Sequence, residues 1–159
     1  MAELKNLEQA KAAFATVCRM LDKEQWNYNR DDEKLSIKCG ARGEDLPMDL
    51  EIKVDVERML IMVLSPMPYV IQDDKRLDVA IAISAINNIL LNGCFDYDVA
   101  TGHVFFRMTN SIIGCKLGEE AMHYLLYCAC QTIDEYNDKL LMLAKGILSL
   151  EKFLEDVMN

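Results

Sequence analysis

The chain has 159 residues, 52% hydrophobic and 27% charged, with 26 Asp and Glu against 17 Lys and Arg for a formal net charge of −9. That length can bury a sizeable core as one domain, residues 1–159, and the apolar fraction is too high for a disordered chain. The acidity repels phosphate backbones and anionic headgroups, and no basic stripe offsets it, so neither nucleic acid nor membrane is an expected partner.

No run approaches the roughly 20 apolar residues that span a bilayer. The opening Met-Ala-Glu-Leu-Lys-Asn lacks the basic-then-apolar layout of a signal peptide, and a cytoplasmic protein is expected. Its six cysteines are then expected to be reduced thiols that pack as small hydrophobes. Cys128 and Cys130 lie two apart in a helical pattern and face different directions. With no Cys-x-x-Cys and only His103 and His123 to join them, no metal site is expected.

The first expected element is an amphipathic helix over residues 4–23, where Leu7, Ala10, Phe14, Val17, Cys18 and Leu21 recur at helical steps. Strand patterns follow at 26–30 and 35–39, separated by the polar turn Asp31-Asp32-Glu33, and a Gly-bearing turn at 40–45 comes next. In residues 48–56, Met48, Leu50, Ile52, Val54 and Val56 alternate with Asp49, Glu51, Lys53 and Asp55, the pattern of a strand with one wet face.

Residues 59–64 are apolar at every position, so both faces of that strand are expected to be covered. The chain's own C-terminal helix or a second copy could supply the cover. Ser-Pro-Met-Pro at 65–68 is expected to stop the strand, because proline donates no ladder hydrogen bond.

A helix is expected over residues 74–91, opened by Asp73 and Asp74 and ended by Asn92-Gly93. Leu77, Ala80, Ile81, Ser84, Ala85, Asn88 and Leu91 line one side, and Val79, Ile83, Ile86 and Ile89 are apolar as well, which predicts burial around most of its circumference. A hairpin follows, with arms 94–97 and 104–108 and a loop ending in Gly102. A long helix over 118–145 and a short one capped by Ser149 complete the chain. No internal repeat stands out. The expected class is α+β, an antiparallel sheet of about five strands packed with helices.

No catalytic, cofactor or metal constellation emerges. Asp96-Tyr-Asp98 before Gly102 lacks the further acids of a calcium loop, and turn acids explain it. Asp73, Asp74 and Asp78 suit a helix start and have no partner base. His103 reads as a solvated turn residue and His123 as a surface one. Gly114-Cys-Lys-Leu-Gly118 lacks the Gly-Lys-Ser/Thr ending of a phosphate loop, and no nucleophile elbow is present. What remains are surfaces. Ten methionines, several in or beside the strands, either fill gaps in the core or adapt an exposed sheet to a partner. Met59, Met62, Met67, Phe95 and Phe106 form the candidate partner surface.

Residues Arg76-Leu-Asp-Val-Ala, Ile86-Asn87, Asn92-Gly93, Phe95-Asp-Tyr-Asp and Gly102-His-Val-Phe-Phe-Arg107 resemble the YbjN-like family, whose fold is similar to that of type III secretion chaperones. The strand leading to Pro66 and Pro68 and the tail Gly146-Ile-Leu-Ser-Leu-Glu are similar too, so the likeness covers most of the chain beyond Trp26. The resemblance implies an often dimeric α+β domain that is regulatory or chaperone-like rather than catalytic, and it transfers no catalytic residue. The expected function is therefore a non-enzymatic, homodimeric binder of other proteins. The alternative is a sensor holding a small ligand between sheet and helices near Trp26, Tyr28 and Phe106.

Overall fold

The computed structural model describes residues 2–158. It opens with α1 (Ala2–Lys23), which buries Ala10, Ala13, Phe14, Val17, Cys18, Met20 and Leu21. The spacing of these residues places them on one face, as the sequence pattern requires. Six strands follow in two groups: β1 (Tyr28–Asp31), β2 (Ser36–Arg42), β3 (Pro47–Asp55) and β4 (Leu60–Val70), then β5 (Cys94–Asp98) and β6 (His103–Ser111). They form one antiparallel sheet in the order β1-β2-β3-β4-β6-β5. The sheet thus has six strands where about five are expected from the sequence. Between its halves lie a 3-10 turn, Asp73–Lys75, and α2 (Arg76–Ile89); α3 (Glu119–Ala144) and α4 (Leu150–Met158) end the chain.

The helices cover one face of the sheet. Met48, Leu50, Ile52 and Val54 of β3 point into the core, as do their same-face neighbours Ile37, Ile61, Val63, Met108, Phe106 and Phe95. α1 packs on β3, α3 on β4 and β6, and α2 on β5, with α4 against α2 and α3.

Two turns at the same end of the sheet are built alike. Asp31-Asp-Glu-Lys-Leu35 joins β1 to β2, and Asp55-Val-Glu-Arg-Met59 joins β3 to β4. In each, the aspartate accepts a backbone N–H three residues on (Lys34, 3.0 Å; Arg58, 2.9 Å) and pairs with that residue's side chain. The final residue is left-handed in both (Leu35 φ 48°, Met59 φ 52°) and drops its side chain into the core. A side chain with a Cβ is strained there, and burial of Leu35 and Met59 offsets that cost. The shared pattern is a short repeat that hydrophobic periodicity does not reveal.

β4 does not stop at its prolines. It runs to Val70, paired with β6 through Pro66↔Phe105 before the register shifts. The register explains the tolerance. Met59 accepts Ile112 N–H from the β6 side, so odd residues of this strand turn their backbone groups to β6 and even ones to β3. Pairing with β3 ends at Glu51↔Leu64, so the N–H groups that Pro66 and Pro68 lack would have met no acceptor.

The central helix is shorter than the 74–91 pattern and is buried on one side only. Val79, Ala82, Ile83 and Ile86 face the core, while Leu77 and Ile81 are 72% and 42% exposed. Gly93 does not cap it directly: Leu90 is already extended, and Gly93 (φ 77°) admits the chain into β5 beneath the Phe106 ring. Gly146 (φ 69°) does stop α3, and Ser149 Oγ accepts Lys152 N–H at 3.2 Å to cap α4.

Candidate interaction surfaces

The five residues singled out as a partner surface do not share one. Met59, Met67, Phe95 and Phe106 are buried within the chain, Phe106 at 0% exposure. Phe106 and Phe95 meet edge to face at 5.2 Å, and Phe95 meets Tyr136 of α3 at 6.2 Å. Met67, Phe95 and Phe106 are core because they occupy odd positions of β4 and β5 and an even position of β6, which point toward the helices, and Met59 is core because its left-handed turn position drops it inward. Phe106 therefore cannot line an open ligand site. Met62 alone lies on the opposite face, half-buried.

That opposite face carries a strip of apolar side chains along β4. Leu60, Met62 and Leu64 are half-buried and Pro66 and Pro68 exposed, with Phe105 of β6 beside Pro66 at 40% exposure. Of the two covers expected for 59–64, the chain's own helices supply one face only: they cover Ile61 and Val63, and the chain itself leaves the face of Leu60, Met62 and Leu64 half-buried. Its rim is charged. Glu51, Lys53 and Asp55 flank the strip on β3. On the other side Arg107 holds Asp96 through Nε at 2.6 Å and Nη2 at 3.1 Å. Those hydrogen bonds keep the Asp96 carboxyl below its usual range despite partial burial.

A second apolar surface lies on α2. Leu77, Ile81 and Ile89 face solvent, followed past the helix end by Leu91 at 97% exposure. The smaller Ala80, Ser84 and Ala85 share this side. Helical periodicity flagged these positions but could not tell an outer apolar stripe from an inner one.

Several of the acids and histidines that stand out in the sequence are engaged in structural pairs. Asp73 binds Arg76 at 2.7 Å and Asp78 lies 3.7 Å from Lys75. Asp98 accepts the Ala100 and Thr101 N–H groups within the hairpin turn. His103 is exposed at the start of β6, and His123 bonds Glu24. Among the described residues, no group of three or more His, Cys, Asp or Glu is placed to hold a metal ion. No described helix is long and apolar enough to cross a membrane. Two grooves border α1. One of about 510 Å³ lies toward Arg30, Asp32 and Leu35, and one of about 1090 Å³ lies toward Gly114–Glu120.

No protein-family model and no curated protein matches the chain. Solved structures match its fold. YbjN from E. coli, a proposed transcription regulator, superposes with a TM-score of 0.59 at 15% identity, over 83% of this chain and 92% of that one. A chain of the HopA1–SchA chaperone–effector complex superposes with a TM-score of 0.55 at 11% identity, over 80% and 95%. At these identities the likeness establishes a shared α+β fold.

Proposed function

We propose that this chain, as one domain over residues 1–159, is a non-catalytic, cytoplasmic protein-binding module of the chaperone or adaptor kind, and that it works as a homodimer. The observation that carries the reading is the pair of separate solvent-facing apolar surfaces, α2 and the β4 strip. Isolated apolar side chains are normal on a surface, but contiguous ones mark contacts.

The two surfaces suit different tasks. Small Ala80, Ser84 and Ala85 between the larger Leu77, Ile81 and Ile89 would let a second α2 approach closely, and a two-fold interface needs one patch that fits itself. The β4 strip is flatter, with a polar rim, and suits a segment of another protein. The fold shared with a chain of a chaperone–effector complex and with a proposed regulator supports a binding role.

The test is affinity capture from the source cell with wild-type bait and with the Met62→Glu/Leu64→Glu double variant. A near-stoichiometric protein retained by wild type and lost by the variant supports the reading. Equal retention by both, or recovery of the wild-type bait alone, contradicts it.

A further inference from the structure

Partway along its strands the sheet divides. β3 and β4 pair from Asp55↔Leu60 to Glu51↔Leu64 and no further, although each continues as a strand. β3 reaches back to Pro47, paired with β2 through Arg42↔Pro47, and β4 runs on to Val70, paired with β6. The two strand ends are thus the banks of a fork that opens past Glu51 and Leu64. Both banks are fixed to α3. The Glu44 N–H, in the turn before β3, donates to Asp134 at 3.0 Å, and the Tyr69 hydroxyl donates to the Asn137 carbonyl at 2.8 Å, about one helical turn on. The chain's three prolines, Pro47, Pro66 and Pro68, all lie on these banks.

The backbone groups that face the fork are unequal. Val54 N–H turns to Leu35 on the β2 side, so even residues of β3 face β2 and odd ones face β4. Asp49 therefore turns both its N–H and its C=O into the fork, whereas Pro47 and, across from them, Pro66 offer only a C=O. Three acceptors meet one donor. Ser65 Oγ, at the split, and Asn137 Oδ1, on α3, are buried with no hydrogen-bond partner. The side chains of the β3 bank are acidic. Among the described residues, Glu44, Asp45, Asp49 and Glu51 enter no ion pair. On the neighbouring β2, Lys38 lies opposite Glu51 and Arg42 opposite Pro47, so four acids stand against two bases.

We propose that the fork is a docking slot for an extended, basic segment of another protein, which adds as a short strand between β3 and β4. Its N–H groups meet the Pro66 and Asp49 carbonyls, and one of its carbonyls accepts the Asp49 N–H. Lysine or arginine side chains on its outer face meet Asp49 and Glu51. The prolines keep the slot open, because Pro66 has no N–H to give Asp49 and Pro47 none to give β4. A second copy of this chain is a poor occupant, since a net charge of −9 is repelled by the acidic bank. This role rests on the reading of the chain as a protein-binding module and gives its partner a chemistry.

The experiment is an amide NMR titration of the full-length chain with a blocked peptide of alternating lysine and threonine, threonine being a small strand former. The expected result is that the Asp49 amide signal moves and exchanges more slowly with solvent, with the other shifts confined to residues 48–51 and 64–70. Asp49→Lys/Glu51→Lys should weaken binding by at least about tenfold, and a peptide with glutamate in place of lysine should not bind. An Asp49 amide unmoved at millimolar peptide would overturn the proposal. So would equal shifts at the acidic residues 31–33 and 73–74, or binding that survives the charge reversal. The wild-type titration decides the matter even if the variant folds poorly. In the capture experiment, a protein lost by Met62→Glu/Leu64→Glu but kept by Asp49→Lys/Glu51→Lys overturns the slot and leaves the module reading standing. Recovery of the bait alone removes the module reading, and with it the slot's role in binding a protein.

Discussion

Asn87 closes an edge of the sheet by standing in for a missing strand. Its amide donates to the Phe95 carbonyl at 2.9 Å while its oxygen accepts the Phe95 N–H at 2.8 Å, so both outward backbone groups of that β5 residue are satisfied. An unpaired edge is a template for association with other chains, and one helix side chain occupies it here at Phe95.

Asn87→Ala leaves two partly buried backbone groups without partners. Unfolding in urea should show a loss of about 2–4 kcal/mol. Asn87→Asp, which keeps the acceptor and loses the donor, should fall between the two. A loss below about 0.5 kcal/mol in the alanine variant would mean that water replaces the side chain freely.

Gly102→Ala should be at least as costly. At φ 79° a side chain is already strained, and a Cβ there would sit 2.3 Å from the Ile71 carbonyl oxygen, a backbone atom that cannot swing aside. A destabilisation of about 3 kcal/mol is expected by thermal or urea unfolding. Near-neutral stability would show that the hairpin can shift as a unit.

Acid should weaken the twin turns. The Asp55 carboxyl is held below its usual range, first by the Arg58 backbone N–H and then by its side chain. A carboxyl depressed in the folded state stabilises the protein above its unfolded pKa, near 4, and that contribution is lost as pH falls through the folded value. Asp55→Asn should therefore be less stable than wild type at about pH 7, with the gap closing toward about pH 2–3. A constant gap would assign the effect to shape rather than charge.

The thiols should separate by rate. Cys115 is exposed, whereas burial pushes Cys39 up to about 11 and Cys130 up to about 12 and so suppresses their thiolates. Alkylation at about pH 8 followed by peptide mapping should mark Cys115 first, with Cys39 and Cys130 slower by about tenfold or more. Equal rates would show that the packing around Cys39 and Cys130 opens readily.

Much of the fold was legible because periodicity reports burial directly. The alternation in β3 and the helical stripes of α1 and α3 leave one arrangement that hides their apolar faces. The twin turns were harder, since Leu35 and Met59 read as strand residues until their left-handed backbone is seen. The surfaces were hardest of all. Met62 and Met67 look alike in sequence, yet the register turns one outward and buries the other. Likewise, the apolar excess of α2 could mean deep burial or an outer stripe. Asn87, equally, reads as a helix residue until β5 is placed beside it.

The homodimer of the proposed function is tested most directly by native mass at high micromolar concentration, by sedimentation equilibrium of wild type and of Ile81→Glu. Wild type should sediment at twice the 18.1 kDa chain mass, and the variant, with a charge on the exposed side of α2, at the single-chain mass while staying folded. A wild-type monomer, or a dimer unmoved by the substitution, would contradict the assignment of α2 to a second copy.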